Sequence, residues 1–213
     1  MVTHLSSQAR PGATPPRGMR RLATTPYVLL VVAALVIGGI VWAVALSGTD
    51  EATRAAACPI TETAAGAGLE EQSATALDDT EPALLGDTRV RVLNANGEVG
   101  QAGAVAAQLA ERGFSPAGAD ATGNDPIYGQ ELDCHGQIRF GENGRAAARS
   151  VSLVAPCMQL VSDGREDETV DLVLGTIFSR LTDSSAAVGA LDELKVGRQP
   201  SATDLETARA VSC

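Results

Sequence analysis

The longest run of apolar positions in this chain extends from Pro26 to Leu46 and contains no charged residue. A helix of about 20 apolar residues is long enough to cross the hydrocarbon core of a bilayer. Tyr27 and Trp42 stand near the two ends of the run, where aromatic residues meet the membrane interfaces. The run therefore predicts a single transmembrane helix over residues 26–46. A cleaved secretory signal is the alternative, because the sequence at 43–45 resembles a cleavage site, although apolar cores of about 7–15 residues are usual there.

The charged residues on the two sides of this run predict its orientation. Four arginines precede it, whereas the first acidic residue of the chain is Asp50. Because positively charged flanks stay in the cytoplasm, we expect the N-terminus inside and the C-terminal part outside. Residues 1–25 are rich in Arg, Pro, Ser and Thr and are expected to form a disordered cytoplasmic tail. Residues 47–86, rich in Ala, Gly, Thr and acidic residues, are expected to form a mostly irregular tether that is fixed locally at Cys58.

Alternation and helical periodicity then indicate a compact domain over residues 87–175. Apolar and polar residues alternate over 89–94, which predicts a strand. The next apolar positions have the i, i+3, i+4, i+7 spacing of an amphipathic helix: Ala102, Val105, Ala106 and Leu109. Gly113 is predicted to end this helix, and Phe114 to open a second extended segment.

A second strand–helix–strand unit follows in the same domain. Residues 136–141 predict a strand, and Asn143 can cap the helix that comes next, which Pro156 ends. One face of that helix carries apolar side chains: Ala147, Val151 and Val154. Two more strands, within 158–161 and 169–175, are expected to form a hairpin or another adjacent pair around a turn at 163–168.

These elements together predict an α/β fold. Two strand–helix–strand units in one short domain imply an α/β sandwich with its helices on one face of the sheet. Residues 176–213 return to helical periodicity and predict two added C-terminal helices. Ser184 or Ser185 can cap the first of them, and Ser201 with Asp204 has the spacing of a capping box at the second.

The charge balance excludes one class of partner. The formal net charge is −10, and all 26 acidic residues follow residue 49, against 12 of the 16 basic residues. Nucleic-acid binding needs clustered Lys and Arg, which the C-terminal part lacks. We therefore expect no nucleic-acid partner.

The four cysteines agree with an exported domain. Cys58, Cys134, Cys157 and Cys213 all follow the apolar run, and an even number of cysteines in an exported region predicts disulfides. A zinc site is the alternative, but the spacings are wide and close ligand pairs are absent. Cys134 and Cys157 each precede a strand of the second unit, and parallel neighbouring strands start at the same edge of a sheet. We therefore predict the pairs Cys134–Cys157 and Cys58–Cys213.

A Gly-containing turn and its flanks resemble a known family. The stretch 90–114 has an alternating strand that ends in V-L-N, a turn with glycines, an Ala-rich helix and then R-G-F. It resembles the LytR C-terminal domain family, and D-L-V-L-G at 171–175 is similar to the closing strand of that domain. The resemblance implies the domain's fold and a role in the cell envelope. Members often follow a LytR-CpsA-Psr catalytic domain, a phosphotransferase that attaches glycopolymers to peptidoglycan, but no such domain fits between the apolar run and residue 87. The resemblance therefore implies no catalytic residue.

The same turn supplies the candidate binding residues: Asn94, Asn96, Gly97, Gly100 and Gly103. Glycines before a helix allow close approach of a ligand to backbone N–H groups. The spacing G-x-x-G-x-x-G differs from the dinucleotide fingerprint, Glu98 adds negative charge, and no lysine follows. The glycines therefore either bind a ligand or only shape the turn.

Two functional hypotheses remain open at this point. The first is a non-catalytic envelope module that binds a cell-wall polymer, a lipid or an envelope-assembly protein, with a weak homodimer through small residues at 34–43 as an option. The second is a cryptic hydrolase or transferase that uses scattered acids such as Asp163 and Asp171. His135 beside Cys134 suggests a nucleophile–base pair, but adjacent residues of a strand point to opposite faces and Cys134 is expected to be oxidised. Common nucleophile and zinc motifs are absent, and the acids of 163–168 lack calcium-loop spacing. We expect no enzymatic activity, no cofactor and no metal site.

Overall fold

The computed structural model describes residue 28, residues 30–39 and residues 57–210, and the chain divides into two units, Met1–Thr49 and Asp50–Cys213. In the first unit residues 30–39 form a helix, α1, whose large apolar side chains are exposed. Within the described residues, no helix has both the length and the apolar character that a membrane crossing requires. The predicted transmembrane segment 26–46 lies only partly within those residues. The predicted tail 1–25 lies outside them.

The second unit is built around one mixed sheet, which has seven strands between residues 57 and 210. The strands are β1 (Glu70–Glu71), β2 (Arg89–Asn94), β3 (Ser115–Pro116), β4 (Thr122–Asn124), β5 (Gly136–Phe140), β6 (Gln159–Ser162) and β7 (Val170–Leu174). Their order is β1-β6-β5-β7-β2-β3, and β4 also pairs with β2. Strands β2 and β7 are parallel, as are β5 and β6, whereas β7 and β5 are antiparallel and join the two halves.

The helices of this unit are α2 (Glu62–Gly66), α3 (Gln101–Arg112), α4 (Arg145–Val154), α5 (Ser185–Lys195) and α6 (Ala202–Arg209). Helices α3 to α6 bury apolar side chains in one core cluster with the sheet residues Val92, Ile138 and Leu172. The prediction of helices on one face is therefore confirmed for the four longer helices. The short α2 lies on the opposite face, where Ala64 packs with Leu69 and Val161.

The first strand–helix unit has the predicted form. Strand β2 buries Val90 and Val92 toward the helices. Helix α3 buries Ala102, Val105 and Leu109, and ends at Gly113, whose φ of 111° is the left-handed conformation that glycine adopts at little cost. Phe114, directly after this glycine, is buried in the main core.

The second strand–helix–strand unit differs from its predicted form in two ways. Asn143 does not cap α4: it lies in a short 3-10 helix (Glu142–Gly144), and its Nδ2 donates to the Glu166 carbonyl. Strands β6 and β7 are not a hairpin or an adjacent pair, because β5 lies between them and pairs with both. The segment after β6 therefore crosses the end of β5 instead of turning back on β6.

The two predicted C-terminal helices are confirmed as α5 and α6. The Ser184 side chain caps α5 by accepting from the backbone of Ala187, and Ser201 caps α6 by accepting from Asp204. Helix α5 buries Leu191 and Leu194.

Residues 57–86 are part of the folded unit and are not the tether that their composition predicted. Leu77 and Leu85 are buried in the main core, and β1 extends the sheet beyond β6. Few large apolar residues occur in this segment, but their burial fixes it on the domain. Residues 47–56 lie outside the described part.

The predicted disulfide pairs are wrong. Cys58 is bonded to Cys134, with 5.1 Å between their Cα atoms. Cys157 is also in a disulfide, and Cys213 lies outside the described residues. Strands β5 and β6 are parallel neighbours as expected, but the cysteines before them lie on opposite sides of the sheet. Cys134 packs with Leu93 and Val173 on the face of Cys58, whereas Cys157 follows α4 on the helical face.

Candidate functional site

The predicted binding loop, residues 94–103, is held in shape by the side chains of two asparagines. Asn94 Nδ2 donates to the Glu98 carbonyl (2.6 Å), and Asn94 Oδ1 accepts from the backbone N–H of Asn96. Asn96 Oδ1 accepts from the Glu98 N–H (2.9 Å). The amide of Asn96 also donates to Gln101 Oε1 and to the Gly175 carbonyl, both at 2.8 Å. The loop is therefore tied to itself, to α3 and to the end of β7.

Four of the five predicted residues line one cavity of about 420 Å³ at the N-terminal end of α3. Asn94, Gly97, Gly100 and Gly103 line it, whereas Asn96 does not and acts only through the hydrogen bonds that shape the loop. Gly100 has φ of 82° directly before α3, so this position requires a residue that tolerates the left-handed region. The sequence thus placed four of its five candidates at one site.

Outside the 94–103 loop, four residues of this cavity were missed by sequence reasoning. Thr122, Gly123 and Asn124 form the three-residue strand β4, and Gln130 lies in the following loop. Gln130 approaches the backbone of Gly97, where its Oε1 would lie 3.3 Å from an added Cβ. Strand β4 is too short and too polar to show a periodic pattern, so the sequence carried no signal for it.

The chemistry of the cavity is neutral and polar. Amide and hydroxyl groups line it, and within the described residues no Lys, Arg, Asp or Glu does. Val99, which is fully exposed, adds an apolar edge. Such a lining can donate and accept hydrogen bonds but offers no counter-charge, so it suits an uncharged polar group better than a phosphate.

The acids of the enzyme hypothesis are engaged in ion pairs. Asp171 accepts two hydrogen bonds from Arg91 (2.9 and 2.7 Å) and two from Arg165 (3.2 and 2.6 Å). Arg165 Nε also donates to Asp163 at 2.8 Å. Burial by itself would raise the pKa of Asp171, but hydrogen bonds from the two guanidiniums, together with their charges, outweigh it and lower this pKa. A carboxylate held in the charged form by two arginines is poorly suited to general acid catalysis.

His135 does not lie with these acids. It lines a cavity of about 320 Å³ together with Cys157 and Phe178, whereas Asp163 and Asp171 line a different cavity of about 450 Å³. The three candidate catalytic residues are therefore not brought together. In residues 57–210 and the described part of α1, no group of three or more His, Cys, Asp or Glu side chains is placed to hold a metal ion.

The comparisons with known proteins place this chain in a family. Residues 87–178 match the family described as the LytR cell envelope-related transcriptional attenuator. The chain is 41% identical over 186 residues to the cell envelope integrity protein Cei of Mycobacterium tuberculosis, covering 85% of each chain. It also resembles the crystal structure of the soluble domain of a conserved hypothetical secreted protein from Mycobacterium marinum. That similarity has a TM-score of 0.63 and 47% identity, and covers 68% of this chain and 97% of the other. The chain therefore belongs to the family of the cell envelope integrity protein Cei and carries the LytR C-terminal domain that its turn and strand motifs predicted.

Proposed function

We propose that this protein maintains the integrity of the cell envelope as a non-catalytic, membrane-anchored binding module. The observation that carries the proposal is the 41% identity, over 85% of both chains, to a protein named for envelope integrity. The similarity to the soluble domain of a secreted protein supports a position outside the cytoplasm. The apolar run 26–46, with arginines before it, would serve as a single-pass anchor with the N-terminus inside.

The binding site of this module is the cavity at residues 94–103. Its amide and hydroxyl lining fits an uncharged polar part of a cell-wall polymer, and exposed Val99 could contact an apolar part of the same ligand or of an envelope-assembly protein. Loops held on a rigid scaffold commonly carry recognition. Because the exported part is strongly acidic, contact with anionic polymers through bulk charge is disfavoured, and binding is local.

The test is complementation of a deletion strain, scored by resistance to large or apolar antibiotics. The wild-type chain should restore the barrier, and Val99→Asp should not. Val196→Asp is the matched control, since Val196 is also exposed but lies at the end of α5. If the two variants restored the barrier equally, at equal protein levels, the 94–103 cavity would not be the binding site.

A second set of variants separates binding from hidden catalysis. The double variant His135→Gln and Asp163→Asn should restore the barrier, because the proposal assigns these residues no chemistry. A double variant that folds with its disulfides and yet fails to rescue would favour the cryptic hydrolase or transferase. Asp171 is left out of this set because it is buried and pairs with two arginines, so that its replacement would destabilise the fold, whereas Asp163 pairs with Arg165 alone.

Membrane attachment has its own test. An alkaline-phosphatase fusion after Cys213 should be active, as expected for an exported C-terminus. The domain without residues 1–46 should rescue poorly even when secreted, because anchoring raises its concentration near a partner. An inactive fusion together with an active cytosolic reporter would overturn the orientation.

A further inference from the structure

Arg149 is a buried cation without adequate partners. It lies in α4 with only 3% of its surface exposed. Within the part of the chain that the structure describes, its Nε and Nη1 are buried and have no hydrogen-bond partner. The carboxylate of Asp78 is 3.6 Å from Nη1, which is beyond hydrogen-bond distance. A buried guanidinium that keeps free donors destabilises the fold unless an acceptor reaches it.

The position of Arg149 gives such an acceptor a place to enter. Arg149 lines a cavity of about 500 Å³ that lies between α4, the segment around Asp78 and helix α6. This cavity shares no lining residue with the one at residues 94–103. The inference is therefore independent of the function proposed above.

A second arginine converges on the same carboxylate. Arg209 of α6 lines the cavity, pairs with Asp78, and donates through Nη2 to the Ala74 carbonyl. Asp78 thus pairs with two guanidiniums, so that these three side chains together carry one positive charge. Burial lowers the pKa of both arginines.

The charges at the rim select the kind of anion. A planar guanidinium fork matches the two oxygens of a carboxylate or of a phosphate group. Asp79 and Glu206 also line the cavity and are exposed. Their negative charge disfavours a dianion more than a monoanion. Ala202 and Leu205 supply apolar surface for the group that bears the anion.

We propose that Arg149, together with Arg209, binds the carboxylate group of a ligand that enters the cavity between α4 and α6. The ligand places one carboxylate against the free guanidinium donors, and its apolar part against Ala202 and Leu205. Asp78 holds Arg209 in place beside it.

The test measures thermal unfolding of the full chain in detergent micelles, with acetate as the probe and chloride at equal ionic strength as the reference. Acetate should raise the Tm of the wild type by about 3–6 °C at roughly ten times its Kd. Arg149→Met should abolish this rise. Arg149→Lys should reduce it, because the charge remains while the fork is lost. Arg198→Met is the matched control, since Arg198 is exposed and pairs with Glu193 elsewhere, and it should respond like the wild type.

Further measurements keep the proposal open to refutation. Without acetate, Arg149→Met should unfold at or above the wild-type Tm, because it removes an uncompensated buried charge while Asp78 keeps Arg209. If Arg149→Met does not fold, two other measurements replace it. Arg209→Gln should weaken the rise in Tm that acetate causes, and the ¹⁵N resonance of Arg149 Nε in the wild type should shift when acetate is added. An acetate response that is equal in the wild type and in the Arg149 variants would overturn the site. A larger response to dimethyl phosphate or inorganic phosphate than to acetate would overturn the carboxylate assignment.

Discussion

The guanidinium of Arg139 and the carboxylate of Asp125 form a two-point ion pair that is almost completely buried. Nη1 donates to Oδ1 at 2.6 Å and Nη2 to Oδ2 at 3.2 Å, and the two side chains are 3% and 0% exposed. Arg139 Nε also donates to Gln137, whose amide donates to Gln159. Gln159 in turn donates to the Cys58 carbonyl. A continuous polar network thus runs from the loop before β5, across the sheet, to the N-terminal segment of the domain.

Removal of one partner of this pair should be strongly destabilising. Asp125→Ala leaves the Arg139 charge buried and removes the acceptor of the Tyr128 backbone N–H, so we expect a loss of about 3–5 kcal/mol in the free energy of unfolding. Urea denaturation measures it. The double variant Asp125→Ala and Arg139→Met should be less destabilised than Asp125→Ala alone, because no unpaired charge remains. A double variant as unstable as the sum of its two single variants would contradict this account.

The disulfide between Cys58 and Cys134 should contribute strongly to stability, because it closes a long loop. The two cysteines are separated by 76 residues in the sequence. In the chain-entropy model such a loop corresponds to about 4–5 kcal/mol. Replacement of both cysteines by Ala should therefore lower the free energy of unfolding by a value of this order, measured in urea against the oxidised wild type. Peptide mapping without reduction should find Cys58 joined to Cys134, and a Cys134–Cys157 peptide would contradict the structure.

The stability of the domain should fall in acid through Asp171. Its pKa is lowered from the ordinary value of 3.8, since Arg165 and Arg91 outweigh the opposing effect of burial. As the pH falls, Asp171 is therefore protonated in the unfolded chain before it is protonated in the folded protein. The stability that the Asp171 carboxylate contributes is complete above about pH 4 and is lost below it. Asp171→Asn should be less stable than the wild type near pH 6, and the gap should narrow toward pH 2, measured by urea unfolding. Asp120 is exposed and lines the same cavity as Asp171. As the control, Asp120→Asn should show the same dependence of the unfolding free energy on pH as the wild type.

The two glycines around the start of α3 should respond oppositely to alanine. Gly100 has φ of 82°, so Gly100→Ala forces a left-handed alanine and should cost about 1–2 kcal/mol. Gly103 lies inside the helix, and an added Cβ there would meet no atom within 4 Å. Gly103→Ala should stabilise the domain by about 0.5–1 kcal/mol, because it reduces the freedom of the unfolded chain. Thermal unfolding of both variants measures these effects. A change of Tm in the same direction in both variants would contradict the prediction.

The elements that the sequence predicted well are those with a local pattern. Strand β2 and helices α3 and α4 follow from periods of two and 3.6 residues, and Gly113 ends α3 by its own backbone preference. The position of β7 between β2 and β5 depends on contacts that are distant in the sequence, so adjacency along the chain wrongly suggested a β6–β7 pair. Burial of Leu77 and Leu85 depends on two residues in an Ala-rich segment, which is too few to form a pattern.

The candidate site also divides into residues with a local sequence signal and residues placed by contacts distant in the sequence. The Gly and Asn residues of the 94–103 loop could be found from the turn chemistry that they share. Thr122 and Asn124 enter the cavity only because β4 pairs with the end of β2. The cysteine pairing failed because the sequence indicates which edge of the sheet a residue lies on, but not which side of the sheet its neighbouring segment covers.

Strand β7 is the last strand in the described part of the chain, yet it lies at the centre of the sheet. Until residues 170–174 have been synthesised, β2 and β5 have no common neighbour, and each presents an open edge. Open edges of this kind pair readily with other strands. During synthesis the two half-sheets therefore remain unpaired until β7, the strand that joins them, has been made. Assembly of the domain becomes a late, all-or-none event of high contact order, and any truncation before residue 170 leaves a chain whose two half-sheets have open edges prone to aggregation.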